Sequence, residues 1–392
     1  MAKHEIVYED QWTRVICGDV LEVLRDGELV RPSSVQMSMT SVPYLRQRKY
    51  PAEGSWGWEE TVDEWLEKMH SVSLAVRNVL KPDGVFWFNS GDKWGGSTTG
   101  SDYGDKRFNE APDNYQEIAK SKLRIDNVNR KGNLMMLPER VIIRLIDEKS
   151  FTLVNKVIWW KPNRAVQSYQ RKFVDTWEPV FFLVKDEKTY KFNRDKIGVE
   201  QRGEMDIMSI REEEETEFSA QTTMNFEDSS LWKPNYDTDH PPPFGSPEYE
   251  HWYNNVRRKQ SWHDHKDDAS QGQRFDSSHR SRVLKRPDGA NPGDVWAIPI
   301  TADPFFKKAG IPPQRVWPAW PLELCTLPLL ATTDEGDIVL DPFGGSGSLG
   351  VAAKQLGRKS IIIDIDPVSC RIAATRIIKA QEPLKGKQVP LI

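Results

Sequence analysis

Cysteine is scarce in this chain: three residues, Cys17, Cys325 and Cys370, stand far apart among 392. That spacing builds neither a disulfide framework nor a cysteine-based metal site, so no metal is expected. Long apolar runs are missing too, and none approaches the roughly 20 residues that a membrane-spanning helix needs. Met1 to Asp10 lack the apolar centre of a secretory leader. A cytoplasmic protein without a membrane partner is therefore expected. Also absent is Gly-Lys-Ser/Thr, which argues against ATP, and the glycine loop opens on Asp341-Pro342-Phe343, which is read against a dinucleotide.

An excess of positive charge is missing as well. The net charge is -4, with 38% apolar and 29% charged residues, an ordinary globular balance. Charge is unevenly placed, however. Glu212 to Glu215 and Glu217 form an acidic run, while Arg257, Arg258, Lys259, Arg280 and Arg282 belong to a mostly basic stretch. Contact with phosphates depends on the contacting face and not on the total, so these five residues are candidates for nucleic-acid binding. The length suits one large α/β domain with an inserted module, or two ordinary domains.

Two short stretches carry the chemistry. Ile338-Val339-Leu340 reads as a buried parallel strand, Gly344 to Gly347 as a tight turn, and Leu349 to Leu356 as a helix. Such a turn lets a ligand approach the backbone at the carboxyl end of a strand. The next strand, Ser360 to Ile363, runs into Asp364, an acid placed to accept the ribose hydroxyls of an adenosine; Asp366 is a rival for that role. Asp341, Phe343, Gly344, Gly345, Ser346, Gly347 and Asp364 are thus candidate cofactor residues.

Near the other end, Val35 to Met39 leads into Thr40-Ser41-Val42-Pro43-Tyr44. Pro43 biases Val42 towards an extended turn. The amine of a nucleobase is a poor nucleophile because its lone pair is delocalised into the ring. Acceptors that draw its hydrogens out of the ring plane free that pair. The Ser41 hydroxyl and the Val42 carbonyl are candidates for those acceptors, and Tyr44 for a flat surface under an extruded base. A polar turn capped by a packed tyrosine is the plainer reading of the same residues. No cysteine follows a proline, so the nucleophile that methylation at a ring carbon requires is not seen.

With both stretches in view, the chain resembles the amino-directed DNA methyltransferases that use S-adenosylmethionine, in the permuted class with the target motif before the cofactor motif. Thr40 to Tyr44 is similar to Thr-Ser-Pro-Pro-Tyr, with Val42 in place of the first proline. Asp341 to Ser348 is similar to Asp-Pro-Phe-x-Gly-Ser-Gly-Thr, with Ser348 in place of threonine. Asn78 to Asp92, Leu137 to Arg140, Asn155 to Asn163 and Glu178 to Val184 extend the likeness in order. Ile16 to Leu21 looks like the segment whose acid approaches the cofactor adenine, which makes Asp19 a candidate; a helix N-cap is its other reading. Around Trp317 to Leu324, Pro321 and Leu324 match, but Val316 stands where a histidine is customary.

The resemblance implies a doubly wound, mostly parallel, seven-stranded Rossmann-like sheet with one antiparallel strand. Residues 1–195 and 293–392 would form this catalytic domain, with 196–292 as an inserted target-recognition region. It also implies S-adenosylmethionine as cofactor, duplex DNA as substrate, frequent homodimers, and a restriction endonuclease partner in some systems. Serine at the Ser41 position points to cytosine N4, with adenine N6 as the alternative. A DNA-binding protein that has lost catalysis and an RNA methyltransferase are the other readings. The long irregular stretch from Asp92 to Lys131 is expected to clamp the extruded nucleotide. Five of the seven histidines lie between His240 and His279 and are read as DNA-facing or loop residues rather than ligands.

Overall fold

The computed structural model describes residues 4–47, 52–96, 123, 128–164, 172–198, 292–300, 305–306 and 319–381. Among the described residues, alternating polarity and β-branched or aromatic residues give nine strands: β1 (His4–Glu9), β2 (Thr13–Gly18), β3 (Val35–Ser41), β4 (Leu80–Asn89), β5 (Thr152–Trp160), β6 (Trp177–Val184), β7 (Val295–Ala297), β8 (Ile338–Asp341) and β9 (Lys359–Asp364). They form one sheet in the order β1-β2-β9-β8-β3-β4-β6-β5-β7. Among the described residues six α-helices cover it: α1 (Val20–Arg25), α2 (Val62–Val79), α3 (Leu137–Asp147), α4 (Leu322–Thr332), α5 (Ser348–Gln355) and α6 (Pro367–Lys379).

Among the described residues the sheet contains the expected seven strands and two more at its edges. The central seven, β2 to β5 in sheet order, contain one antiparallel strand, β6, which pairs in opposite direction with both β4 and β5. Two edge strands are added: β1 folds back antiparallel on β2, and β7 joins β5 in parallel. Val295–Ala297 is short, and its Trp296 side chain packs towards Trp87, with ring centroids 5.9 Å apart.

Successive side chains of each strand point to opposite faces, so both faces need cover. On one face Phe86, Phe88, Phe181, Ile361 and Ile363 pack against α1, α2 and α3. On the other, Met37, Met39, Val85, Trp87 and Phe182 pack against α4 and α5, while Ile362 packs against α6. Trp87 and Phe182 stack face to face at 4.2 Å. Trp159 and Trp160 alternate as their strand requires, the first 4% and the second 44% exposed.

Strand order reverses between β3 and β8. From β3 the chain moves through α2 to β4 on one side, and from β8 through α5 to β9 on the other. Open α/β sheets bind ligands in the crevice that such a reversal leaves at the strands' carboxyl ends. Both motif stretches emerge there.

The chain divides into two units, Met1–Val199 with Asn291–Ile392, and Glu200–Ala290. The second lies outside the described residues, and with it Arg257, Arg258, Lys259, Arg280, Arg282 and the histidine cluster. Most of Asp92 to Lys131 lies outside them as well. Among the described residues no helix is long and apolar enough to cross a membrane.

Candidate active site

Parallel pairing brings the two motifs to one place. Met37 and Ser38 of β3 pair with Val339 and Leu340 of β8, so Thr40 lies beside Asp341 and its hydroxyl donates to Asp341 Oδ1 at 2.8 Å. The residues in contact are 301 positions apart. A cleft opens at these strand ends, lined by Asp19, Ser41, Pro43, Asp341, Phe343, Gly344, Gly345, Ser346 and Asp364, with Trp56 and Trp320 as aromatic walls. Its empty space is about 980 Å³, part of which is open solvent.

The glycine loop needs its glycines for different reasons. At Gly344 a Cβ would lie 2.3 Å from Ile362 Cγ2, so only glycine lets this turn sit on β9. Gly345 and Gly347 have φ of +50° and +78°, which side chains rarely adopt. Gly344 N donates to Ile363 O at 2.8 Å and Gly347 N to Gly344 O at 2.8 Å. Gly347 itself turns away from the cleft and packs on Ala373. Arg376 of α6 holds Ser346 by its carbonyl at 2.8 Å and its hydroxyl at 3.1 Å.

Three carboxylates reach the cleft. Asp341 Oδ1 accepts from Thr40 and from Phe343 N at 3.1 Å, while its Oδ2 accepts no hydrogen bond among the described residues. Burial lifts the Asp341 carboxyl to about 7, against the pull of these two donors and with the help of the nearby Asp364 charge. Asp364 Oδ2 accepts from Gly345 N at 2.8 Å and Oδ1 from Asp366 N at 2.9 Å. Burial lifts it to about 6, opposed by those amides. Asp366 is occupied elsewhere: it caps α6, accepting from Val368 N, Ser369 N and the Ser369 hydroxyl. The geometry thus separates the two rivals and leaves Asp364 as the acid at the cleft.

Asp19 caps a helix and also reaches the cleft. Its Oδ1 caps α1 through Leu21 N at 2.9 Å and Glu22 N at 3.1 Å, and the residue lines the cleft next to Gly18. Register explains the position, since Cys17 pairs with Asp364 across β2 and β9.

The target half is tied more tightly than its sequence suggests. Val42 N donates to Asn89 O at 3.2 Å, and Trp65 Nε1 donates to the Pro43 carbonyl at 2.8 Å. The Val42 carbonyl accepts nothing among the described residues. Tyr44 is 8% exposed, and a Cβ on Gly91 would come within 2.6 Å of its ring, so the ring rests on bare backbone there. Ser41 Oγ donates to the Tyr44 hydroxyl at 3.2 Å, whose proton is shared between Glu178 Oε2 at 2.9 Å and Asn89 Oδ1 at 3.2 Å. Tyr44 is therefore both a packed turn residue and part of a polar network. The open stacking surface read from the motif is not what this ring presents.

Several residues of the site carried no assigned role in the sequence. Asn89 ends β4 in register with Ser41, and Trp320 Nε1 donates to its Oδ1 at 3.3 Å. Glu178 forms an ion pair with the buried Lys161 at 2.5 Å. Their segments were legible as part of the resemblance, but only strand register shows that they meet Tyr44. Asp92 proves to be a cap for α3, accepting from Met136 N at 2.9 Å and Leu137 N at 3.0 Å. Among the described residues no cluster of metal-ligating side chains occurs.

The cleft fits S-adenosylmethionine in its chemistry. Carboxylates face a place where a cationic ligand with ribose hydroxyls would lie, aromatic walls suit an adenine, and the glycine turn admits close approach.

The chain is similar to known proteins along most of its length. A family model described as DNA methylase, for the N6/N4 methyltransferases, matches residues 35–375. Type II methyltransferase M.Cfr9I of Citrobacter freundii is 25% identical over 362 residues, 92% of this chain and 86% of that protein. Type II methyltransferase M.MwoI of Methanothermobacter wolfeii is 30% identical over 178 residues, 45% of this chain but only 21% of its own length. In fold, the chain is similar to the PvuII DNA methyltransferase (cytosine-N4-specific), with a TM-score of 0.54, 19% identity, and coverage of 95% of this chain and 88% of that one. Matched from β3 through α6, across both halves of the cleft, the chain belongs to the DNA methylase family of amino-methyltransferases.

Proposed function

We propose that this protein transfers a methyl group from S-adenosylmethionine to the N4 amine of a cytosine extruded from duplex DNA. The observation that carries the reading is the meeting of Ser41 and Asp341 at one cleft, through the pairing of β3 with β8. When bound, the cofactor would supply an electrophilic methyl group on its sulfonium. The chain's own residues do the rest. Phe343, Gly344, Gly345, Asp341, Asp364 and Asp19 hold the cofactor, and the Ser41 hydroxyl and Val42 carbonyl accept the hydrogens of the target amine. Arg257, Arg258, Lys259, Arg280 and Arg282 of the proposed recognition region, 196–292, contact the DNA. Serine at position 41 favours cytosine over adenine. A homodimer and a companion restriction endonuclease belong to the same proposal.

The test is to incubate the protein with unmodified duplex DNA and methyl-labelled S-adenosylmethionine, then identify the labelled nucleoside by mass spectrometry. Labelled N4-methylcytosine is expected. Labelled N6-methyladenine would overturn the choice of base while keeping the reaction, and label on RNA alone would overturn the substrate.

Asp364→Ala tests the cofactor half separately. It removes the acceptor of Gly345 N and of the proposed ribose contact, and is expected to weaken cofactor binding by about 1 kcal/mol, roughly fivefold. Calorimetric titration of the cofactor, with DNA affinity measured alongside, checks it; unchanged cofactor affinity would remove Asp364 from this role.

A further inference from the structure

The polar chain behind Ser41 ends on a carboxylate that no part of the proposed function uses. Ser41 Oγ, the Tyr44 hydroxyl and Glu178 Oε2 are linked at 3.2 and 2.9 Å. Their directions are set by what lies at the far end. A carboxylate can only accept, so Tyr44 donates to Glu178 and is left to accept from Ser41. The Ser41 proton then points away from the cleft, and its lone pairs remain available there.

Three contacts fix that end. Lys161, buried beneath the site, takes Glu178 Oε1 at 2.5 Å and lies 4.1 Å from the centre of the Trp159 ring, which leaves Oε2 for Tyr44. Asn89 Nδ2 donates to the Pro179 carbonyl at 2.9 Å, which fixes its amide so that Oδ1 faces Tyr44. An amide oxygen is far too weak a base to take up a proton, whereas a carboxylate can accept one in passing. Glu178 is the terminal base of the chain.

We infer that Ser41, Tyr44 and Glu178 form the exit path for the proton that the methylated amine must lose, with Glu178 as its acceptor. This rests on the proposed reaction at Ser41. When the amine nitrogen has formed its bond to the methyl carbon, it carries one proton too many. That proton passes to Ser41 Oγ, the Ser41 proton to the Tyr44 oxygen, and the Tyr44 proton to Glu178 Oε2. One N–H bond is broken, one carboxyl O–H bond is formed, and both hydroxyls are restored. Glu178 touches Tyr44 and not the base, so it acts through the two hydroxyls as a positioning residue and a proton sink.

The experiment measures single-turnover methyl transfer to duplex DNA by the full chain and by Glu178→Gln, Tyr44→Phe and the double variant, with cofactor and DNA affinities determined separately. Each single variant is expected to lose at least about tenfold in rate, with affinities changed less than about twofold. Because the residues act as one path, the double variant should be no slower than the slower single one. Multiplying losses or a rate within about threefold of wild type would overturn the path while leaving the methyltransferase reading intact. Should Glu178→Gln fail to fold because Lys161 loses its counter-ion, Tyr44→Phe keeps that ion pair. A Tyr44→Phe variant with full rate would itself overturn the path. A wild-type protein that binds cofactor and methylates no DNA would overturn the reading on which the path stands, and the path with it.

Discussion

Ser41→Ala is expected to lower the single-turnover rate of methyl transfer by about a hundredfold to a thousandfold, while S-adenosylmethionine binds within about twofold of its wild-type affinity. The split follows from where the side chain lies. Ser41 closes β3, opposite Asn89 on β4, and its hydroxyl reaches Tyr44 and not the glycine loop. Alanine fits the strand without strain, so the fold and the cofactor half should be little changed. What disappears is an acceptor whose interaction with the amine strengthens as charge develops in the transition state. A fall in rate matched by an equal fall in cofactor affinity would show that Ser41 supports the fold of the cleft rather than the reaction.

The second large effect belongs to Asp341. Asparagine can keep Oδ1 as acceptor for both Thr40 and Phe343 N, so Asp341→Asn removes charge with little change in shape. The cofactor is a cation at its sulfonium, and a carboxylate contact to it is worth about 1.5 to 3 kcal/mol, a factor of roughly ten to a hundred and fifty in affinity. Because the Asp341 carboxyl titrates at about 7, wild-type affinity should rise with pH through that value, and binding should release protons. Asp341→Asn should bind weakly at all pH values with a flatter profile. Cofactor titrations at several pH values in buffers of differing ionisation enthalpy measure both quantities, and a wild-type profile independent of pH would reject the assignment.

The same carboxyl affects stability with the opposite sign. Its folded pKa lies above the ordinary carboxyl value of 3.8, so ionisation favours the unfolded chain. Without cofactor, stability is fully present below about pH 4 as far as this group is concerned, and falls as pH rises to about 7, by several kcal/mol at roughly 1.4 per unit. Asp341→Asn should therefore melt higher than wild type at pH 8 in the absence of cofactor. The binding cleft holds a charge that the empty fold would be more stable without, a trade seen where function requires a poorly solvated acid.

The cofactor half could be read almost residue by residue from the chain. A β-branched run, a glycine turn, an apolar helix and a strand ending in an acid form a contiguous unit, and β8, α5 and β9 lie within a residue or two of the expected bounds. Local sequence decides such a unit. Tyr44 shows where local reading stops: its burial is set by Gly91, just beyond the end of β4, and by Glu178 of β6, and nothing within Thr40 to Tyr44 announces them. The competition between Asp364 and Asp366 was undecidable for the same reason, since both follow a strand and precede a helix. The fold shows Asp366 engaged as the cap of α6 and Asp364 lining the cleft. The two edge strands escaped notice because β1 is half polar and β7 is three residues long, too short for any periodicity.

The bond between Thr40 and Asp341 joins residues 301 positions apart, and this separation has a meaning for the chain as it leaves the ribosome. At about 5 to 20 residues per second, β3 would be synthesised roughly 15 to 60 seconds before β8 can pair with it. During that interval one edge of the central strand has no neighbour, and Met37 and Met39 have neither α4 nor α5 to cover them. The middle of the sheet is thus the last part to be completed, and the nascent protein carries an open strand edge that a chaperone, or another nascent copy, can reach first.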